Sequence, residues 1–88
     1  KPVLLELYSN FWIACLWAKP EVDRLEFELK DYMSVIRIDV SSHTGKDVRR
    51  QYQGELVPTF IVFDMYGNEV WRQSGKVPEL AEILNLGL

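Results

Sequence analysis

The chain has 88 residues, 48% of them hydrophobic, and a net charge of -3. This length fits one domain with a modest core, and the composition is typical of a folded protein. Acidic and basic residues are interspersed without a basic stripe, which argues against nucleic acid as a partner. No apolar run approaches the roughly 18 residues of a membrane helix. A single cysteine excludes an internal disulfide and a cysteine-rich metal site. The sequence also has no P-loop or dinucleotide-binding glycine motif, and we expect neither a metal nor a cofactor.

The first two predicted elements are a buried strand and a long helix. Residues Val3–Tyr8 form a nearly continuous apolar run, which is typical of a strand buried on both faces of a sheet. Ser9 or Asn10 could cap a helix that runs from about Phe11 to Tyr32, with a kink at Pro20. The apolar residues that predict its inner face after the kink are Val22, Leu25, Leu29 and Tyr32.

A second strand and a short helix follow. Residues 35–40 are rich in β-branched side chains and predict the strand. Residues 41–44 predict a loop and helix cap, which places His43, the only histidine, in a surface loop without catalytic partners. The short helix should present Val48 and Tyr52 on one face and end at Gly54.

The last third of the chain predicts a hairpin and a final helix. Strands over 59–64 and 69–73 flank a tight turn that contains Gly67. Pro78 lies near the first turn of the helix, Glu79 suits its N-terminus, and the inner face is formed by Leu80, Ile83 and Leu84. The order βαβα-ββα predicts an α/β fold with a mixed four-stranded sheet, in which the first two strands are parallel and helices cover both faces.

Several landmarks along the chain resemble the thioredoxin family. The sequence Trp12-Ile-Ala-Cys15 lies between the first strand and the long helix, and Pro20 follows at the spacing of the family's helix-kinking proline. Val57-Pro58-Thr59 is similar to the family's cis-proline loop, while Gly67 and Gly75 match a hairpin glycine and a glycine beside the active site. The resemblance implies a single thioredoxin-like domain over residues 1–88 that lacks the family's N-terminal strand and helix.

The resemblance also implies an incomplete active site. In the family a Cys-x-x-Cys pair performs disulfide exchange, which begins when a thiolate attacks the target sulfur. Trp12 occupies the position of that attacking sulfur, and an indole cannot attack. Cys15 matches the second sulfur, for which three interpretations remain: a small buried hydrophobe, a monothiol that reacts with glutathione or a partner, and a metal or cluster ligand.

Two further sets of residues enter through the resemblance. Glu6 matches the family's buried acid, which leaves either a structural role, with water or Lys1 as its hydrogen-bond partner, or a role in tuning Cys15. A peptide-binding surface would comprise Phe11, Trp12, Ile13, Val57, Pro58 and Gly75. Val57 would pair with an extended peptide through its backbone, unless Pro58 merely shapes a loop. The apolar residues at the helix start either form an exposed patch or pack on the proline loop or on a preceding segment.

The leading functional hypothesis is a thioredoxin-like domain without dithiol–disulfide oxidoreductase activity that keeps the cis-proline groove as a protein- or peptide-binding surface. A monothiol redox protein that acts through Cys15 in redox homeostasis is the alternative, and a structural module inside a larger redox protein is the third. The chain begins with Lys1 rather than Met, which leaves room for an upstream membrane anchor. Cytoplasmic and exported or membrane-tethered locations both stay open, although the hairpin around Gly67 resembles that of tethered or exported members.

Overall fold

The fold alternates strands and helices before it ends in a hairpin and a short helix. The computed structural model describes residues 1–51 and 57–88. In chain order the elements are β1 (Val3–Tyr8), α1 (Ile13–Leu29), β2 (Ser34–Asp39), α2 (His43–Gln51), β3 (Thr59–Phe63), β4 (Glu69–Ser74) and α3 (Leu80–Leu84). This order confirms the predicted α/β class. The predicted roles of Tyr52 and Gly54 at the end of α2 lie outside the described residues.

The four strands form one mixed sheet in the order β2-β1-β3-β4. Strand β1 is parallel to β2 and antiparallel to β3, and β3 is antiparallel to β4. The central position of β1 explains its continuous apolar run, because neighbours and helices bury it on every side. The register places Glu6 of β1 between Arg37 of β2 and Phe60 of β3.

Helices cover both faces of the sheet, as the sequence predicts. Adjacent residues of a strand point to opposite faces, so Leu4 and Leu5 belong to different clusters. One buried cluster joins β1 and β3 to α1 and α3 and contains Leu4, Ala18, Val22, Leu25, Leu29, Met33, Phe60, Val62 and Ile83. The other contains Leu5, Leu7, Cys15, Val40, Val57 and Ile61, with Val48 of α2 packed against it. In the described ranges, no helix combines the length and hydropathy needed to cross a bilayer.

Helix α1 starts later and ends earlier than predicted. Neither Ser9 nor Asn10 caps it, because a turn separates β1 from the helix: the Trp12 N–H donates to the Ser9 carbonyl at 3.3 Å, and the Ser9 hydroxyl accepts the N–H of Phe11 at 3.2 Å. The residue at the N-cap is therefore Trp12. At the other end Tyr32 lies beyond the helix with 62% of its surface exposed, so its predicted place on the inner face is wrong.

The shorter helices also differ from the prediction at their ends. His43 is the first residue of α2 rather than a loop residue, because the Ser42 hydroxyl caps the helix by accepting the Gly45 N–H at 2.9 Å. In α3, Ile83 is buried, but Leu84 is exposed because the helix has only five residues and turns this side chain to solvent. Glu79 is the N-cap residue of α3, where its side chain and that of Glu82 form a capping box.

Candidate functional site

The tip of α1 carries an indole where the helix begins. Trp12 has an extended backbone (φ -106°, ψ 124°), and its side chain makes no capping hydrogen bond. Its carbonyl accepts the N–H groups of Cys15 at 3.0 Å and Leu16 at 3.1 Å, which starts the helix. The side chain is 54% exposed, so the indole stands at the tip in contact with solvent.

The sulfur of Cys15 lies one turn further along and is packed inside the protein. Only 6% of Cys15 is exposed, and its Sγ accepts the backbone N–H of Ser9 at 3.5 Å. Burial raises the pKa of the thiol; the Ser9 N–H opposes this effect, and the charges of Glu6 and Asp39 add to it. The thiol therefore stays protonated to higher pH than an exposed cysteine and is a poor nucleophile at neutral pH.

Glu6 is buried in the sheet and paired with a cation. The Arg37 Nε donates to Glu6 Oε1 at 3.0 Å, while the Lys1 ammonium donates elsewhere, to the Lys30 carbonyl at 3.5 Å. The expected partnership of Glu6 with Lys1 is therefore wrong: the parallel register of β1 and β2 brings Arg37 alongside Glu6 instead. Burial raises the pKa of Glu6, and the attraction of Arg37 offsets this only in part.

Arg37 also fastens the sheet to α1. Its Nη1 donates to Asp23 at 2.5 Å and to Glu26 at 3.5 Å, and both carboxylates belong to α1. One guanidinium thus holds carboxylates from β1 and α1 together, which its rigid, multi-donor geometry allows. Beside this cluster, a cavity of about 240 Å³ is lined by Glu6, Tyr8, Asn10, Cys15, Leu16, Lys19 and Arg37. Glu6 and Cys15 therefore face a common space.

The start of α1 presents a group of exposed apolar side chains, which we call the apolar tip. It consists of five side chains that are each more than half exposed, namely Phe11, Trp12, Ile13, Leu16 and Trp17. Of the two interpretations of these residues, the structure favours the exposed patch over packing on the proline loop. Groups of exposed apolar side chains often mark interaction surfaces.

A groove adjoins the apolar tip along α1, with Trp17 belonging to both, and we call it the proline groove. It has a volume of about 410 Å³ and is lined by Ala14, Trp17, Ala18, Glu21, Pro58, Gly75, Lys76, Val77 and Glu79. The Val57–Pro58 peptide bond is cis, and the Pro58 carbonyl accepts the Gly75 N–H at 2.7 Å. Gly75 adopts φ +82°, which favours glycine at this position.

Of the predicted peptide-binding residues, Pro58 and Gly75 line the proline groove, Phe11, Trp12 and Ile13 belong to the adjoining apolar tip, and Val57 has a different role from the one expected. The side chain of Val57 is buried in the cluster that contains Cys15, so only its backbone could meet a partner. Sequence reasoning missed Glu21, Lys76 and Glu79 in the wall of the groove. The spacing of Ala14, Trp17 and Glu21 along α1 was the available signal, since residues three and four apart share a helix face.

Comparisons with known proteins agree with this architecture. The chain is 26% identical over 78 residues to the chloroplastic thioredoxin-like protein HCF164 of Arabidopsis thaliana, an alignment that covers 89% of this chain and 30% of that protein. It is 32% identical over 78 residues to the thiol:disulfide interchange protein DsbD of Cronobacter sakazakii, covering 80% of this chain and 13% of that protein. The chain is a thioredoxin-like protein. No family model matches the sequence.

Solved structures place the fold of this thioredoxin-like protein in the same group. The germline-specific thioredoxin Deadhead of Drosophila melanogaster superposes with a TM-score of 0.80 at 18% identity, covering 99% of this chain and 78% of that one. Thioredoxin-2 of a malaria parasite gives a TM-score of 0.81 at 15% identity, covering 98% and 80%. The chain spans less than a third of the length of the chloroplastic and DsbD relatives that it matches.

Proposed function

We propose that residues 1–88 act as one thioredoxin-like domain that binds protein or peptide segments and does not perform dithiol–disulfide exchange. Two facts together carry this proposal: Trp12 occupies the N-cap of α1, and Cys15, one turn further along the helix, is buried. Exchange needs an accessible thiolate and a second sulfur that closes the ring and releases the product. An indole supplies no sulfur, and Cys15 has no second cysteine in the chain.

The binding surface in this proposal joins the apolar tip to the proline groove. The tip offers large exposed side chains, and aromatic residues dominate the energetics of many interfaces. Among residues 1–51 and 57–88, neither the N–H nor the C=O of Val57 makes a hydrogen bond. An extended segment could therefore pair with the Val57 backbone while its side chains contact Trp12 and the groove.

Binding of a short synthetic peptide to three variants tests this proposal. The probe is a fluorescein-labelled peptide with alternating threonine and valine, which favours an extended conformation, and a central citrulline. We expect Trp12→Ser to weaken binding about tenfold, as loss of an interface tryptophan does, and Cys15→Ala to leave it unchanged. Fluorescence anisotropy measures both effects.

Tyr32→Ser is the matched control, because it removes an exposed aromatic side chain beyond the opposite end of α1. We expect this variant to bind the peptide like the parent protein. No binding by the parent, or equal losses in Trp12→Ser and Tyr32→Ser, would contradict a peptide site at the apolar tip.

A monothiol redox function is the second candidate, and the cavity shared by Cys15 and Glu6 favours it. In such a reaction the Cys15 thiolate would attack a disulfide, form a mixed disulfide and release one thiol of the attacked molecule. The names of the curated relatives, a thioredoxin-like protein and a thiol:disulfide interchange protein, also fit a redox setting. The raised pKa and burial of Cys15 argue against this candidate.

Alkylation of Cys15 by iodoacetamide across a range of pH separates the two candidates. Because its folded-state pKa is raised, we expect the labelling midpoint of the native protein at higher pH than that of the urea-unfolded chain. At neutral pH the native rate should be slower by about tenfold or more, because labelling requires local opening. Fast native labelling with an acid-shifted midpoint would instead support the monothiol function.

A further inference from the structure

The proline groove has an aromatic wall above a floor of small residues. Ala14, Trp17, Ala18 and Glu21 follow one another at helical spacing, which places them on one face of α1. Trp17 lines the groove and is 78% exposed, so part of its indole can contact a side chain of a partner segment. Ala14, Ala18 and Gly75 contribute almost no side-chain volume. The groove can therefore accept a long side chain that lies along the face of the indole.

The charged groups around the groove leave an excess of negative charge. Glu21 and Glu79 supply two carboxylates, and Lys76 supplies one ammonium group. Within the described ranges, none of these three side chains forms a salt bridge. The Glu79 side chain accepts the N–H of Glu82 at the start of α3, which holds its carboxylate in place. Glu21 forms no salt bridge with a cation of the described chain, so its carboxylate can accept hydrogen bonds from a side chain of a partner segment.

We propose that the proline groove binds an arginine side chain of the partner segment, an inference that rests on the proposed peptide-binding function. A guanidinium can stack on the Trp17 indole while it donates hydrogen bonds to Glu21 and Glu79. Its aliphatic stem can pack over Ala14 and Ala18. Arginine suits this site better than lysine, because its planar group combines stacking with several directed donors.

The same labelled peptide, with arginine in place of the central citrulline, tests the proposal. Citrulline has nearly the same shape as arginine but no charge, so the ratio of the two affinities isolates the cation. The substituted position is moved through three successive residues of the peptide to sample the register. In one register we expect arginine to bind about fivefold more tightly than citrulline, with the advantage reduced at high salt.

Variants of the groove assign this preference to named side chains. Glu21→Gln and Trp17→Leu should each reduce the ratio toward one, and Lys76→Gln should increase it by removing a competing positive charge. Asp31→Asn is the matched control, because it removes an exposed carboxylate beyond the opposite end of α1. This variant should keep the parent ratio.

Each result bears separately on the groove and on the peptide site. Equal affinity for arginine and citrulline peptides in all registers would overturn the arginine site and leave the peptide-binding function standing. An arginine preference that survives in both Glu21→Gln and Trp17→Leu would also overturn it, because the cation would then bind elsewhere. If neither peptide binds, both proposals fail.

Discussion

Trp12→Cys is expected to convert the protein into a dithiol reductase. The substitution places a sulfur at the N-cap of α1, where the helix dipole and unpaired backbone N–H groups stabilise a thiolate. Cys15, one turn further along, can then close the ring and release the product. In the dithiothreitol-driven reduction of insulin, we expect the variant to accelerate precipitation on the order of tenfold over buffer.

Two controls separate the new sulfur from the loss of the indole. Trp12→Ser removes the indole without adding sulfur and should remain inactive. The double variant Trp12→Cys/Cys15→Ala should form a mixed disulfide with the substrate but turn over poorly, because no second thiol resolves it. If the single variant forms no internal disulfide under oxidising conditions, Trp12 does not occupy the motif position assigned to it.

Arg37→Met is expected to destabilise the fold by about 3 kcal/mol, because it removes the cation that balances a buried carboxylate. Glu6 is only 2% exposed, and its Oε1 receives the Arg37 Nε at 3.0 Å. The same change removes the links from Arg37 to Asp23 and Glu26 on α1. Urea unfolding at neutral pH, followed by tryptophan fluorescence, measures the loss.

Two further variants test whether the loss of stability in Arg37→Met comes from the buried Glu6 carboxylate that is left without a cation. Arg24→Met removes a surface arginine that pairs with Glu28, and it should change the free energy of unfolding by less than about 0.5 kcal/mol. Adding Glu6→Leu to Arg37→Met should restore much of the lost stability, because no unpaired carboxylate then remains in the sheet. A loss in Arg37→Met no greater than that in Arg24→Met would show that the buried pair contributes little.

The order of elements could be predicted from the sequence because its signals are local. A few neighbouring residues are enough to predict a strand at β1, from its apolar run, and at β2 and β3, from their β-branched residues. The ends of the elements were harder to predict, because the spacing of apolar residues does not show how far the neighbouring elements pack over a helix. Tyr32 and Leu84 continue the helical pattern, yet both are exposed because nothing in the described chain packs over them.

The candidate site was predictable where it depends on a motif and unpredictable where it depends on distant pairing. Consecutive apolar residues at the start of α1 predicted either an exposed patch or packing on the proline loop or on a preceding segment, and the exposure of the apolar tip became known only from the structure. The partnership of Glu6 with Arg37 joins residues 31 positions apart and follows only from the strand register. The requirement for glycine at position 45 could not be predicted from the sequence either. A Cβ there would lie 1.8 Å from the Asp39 carbonyl oxygen, and this contact depends on how α2 lies against the end of β2.

The most direct test of the central claim is the insulin-reduction rate of the unmodified protein with dithiothreitol as the electron source. With an indole at the helix tip and Cys15 buried, we predict the same rate as in buffer alone. A clear acceleration that disappears in Cys15→Ala would contradict the account, because it would show that the remaining thiol reaches a disulfide and turns over.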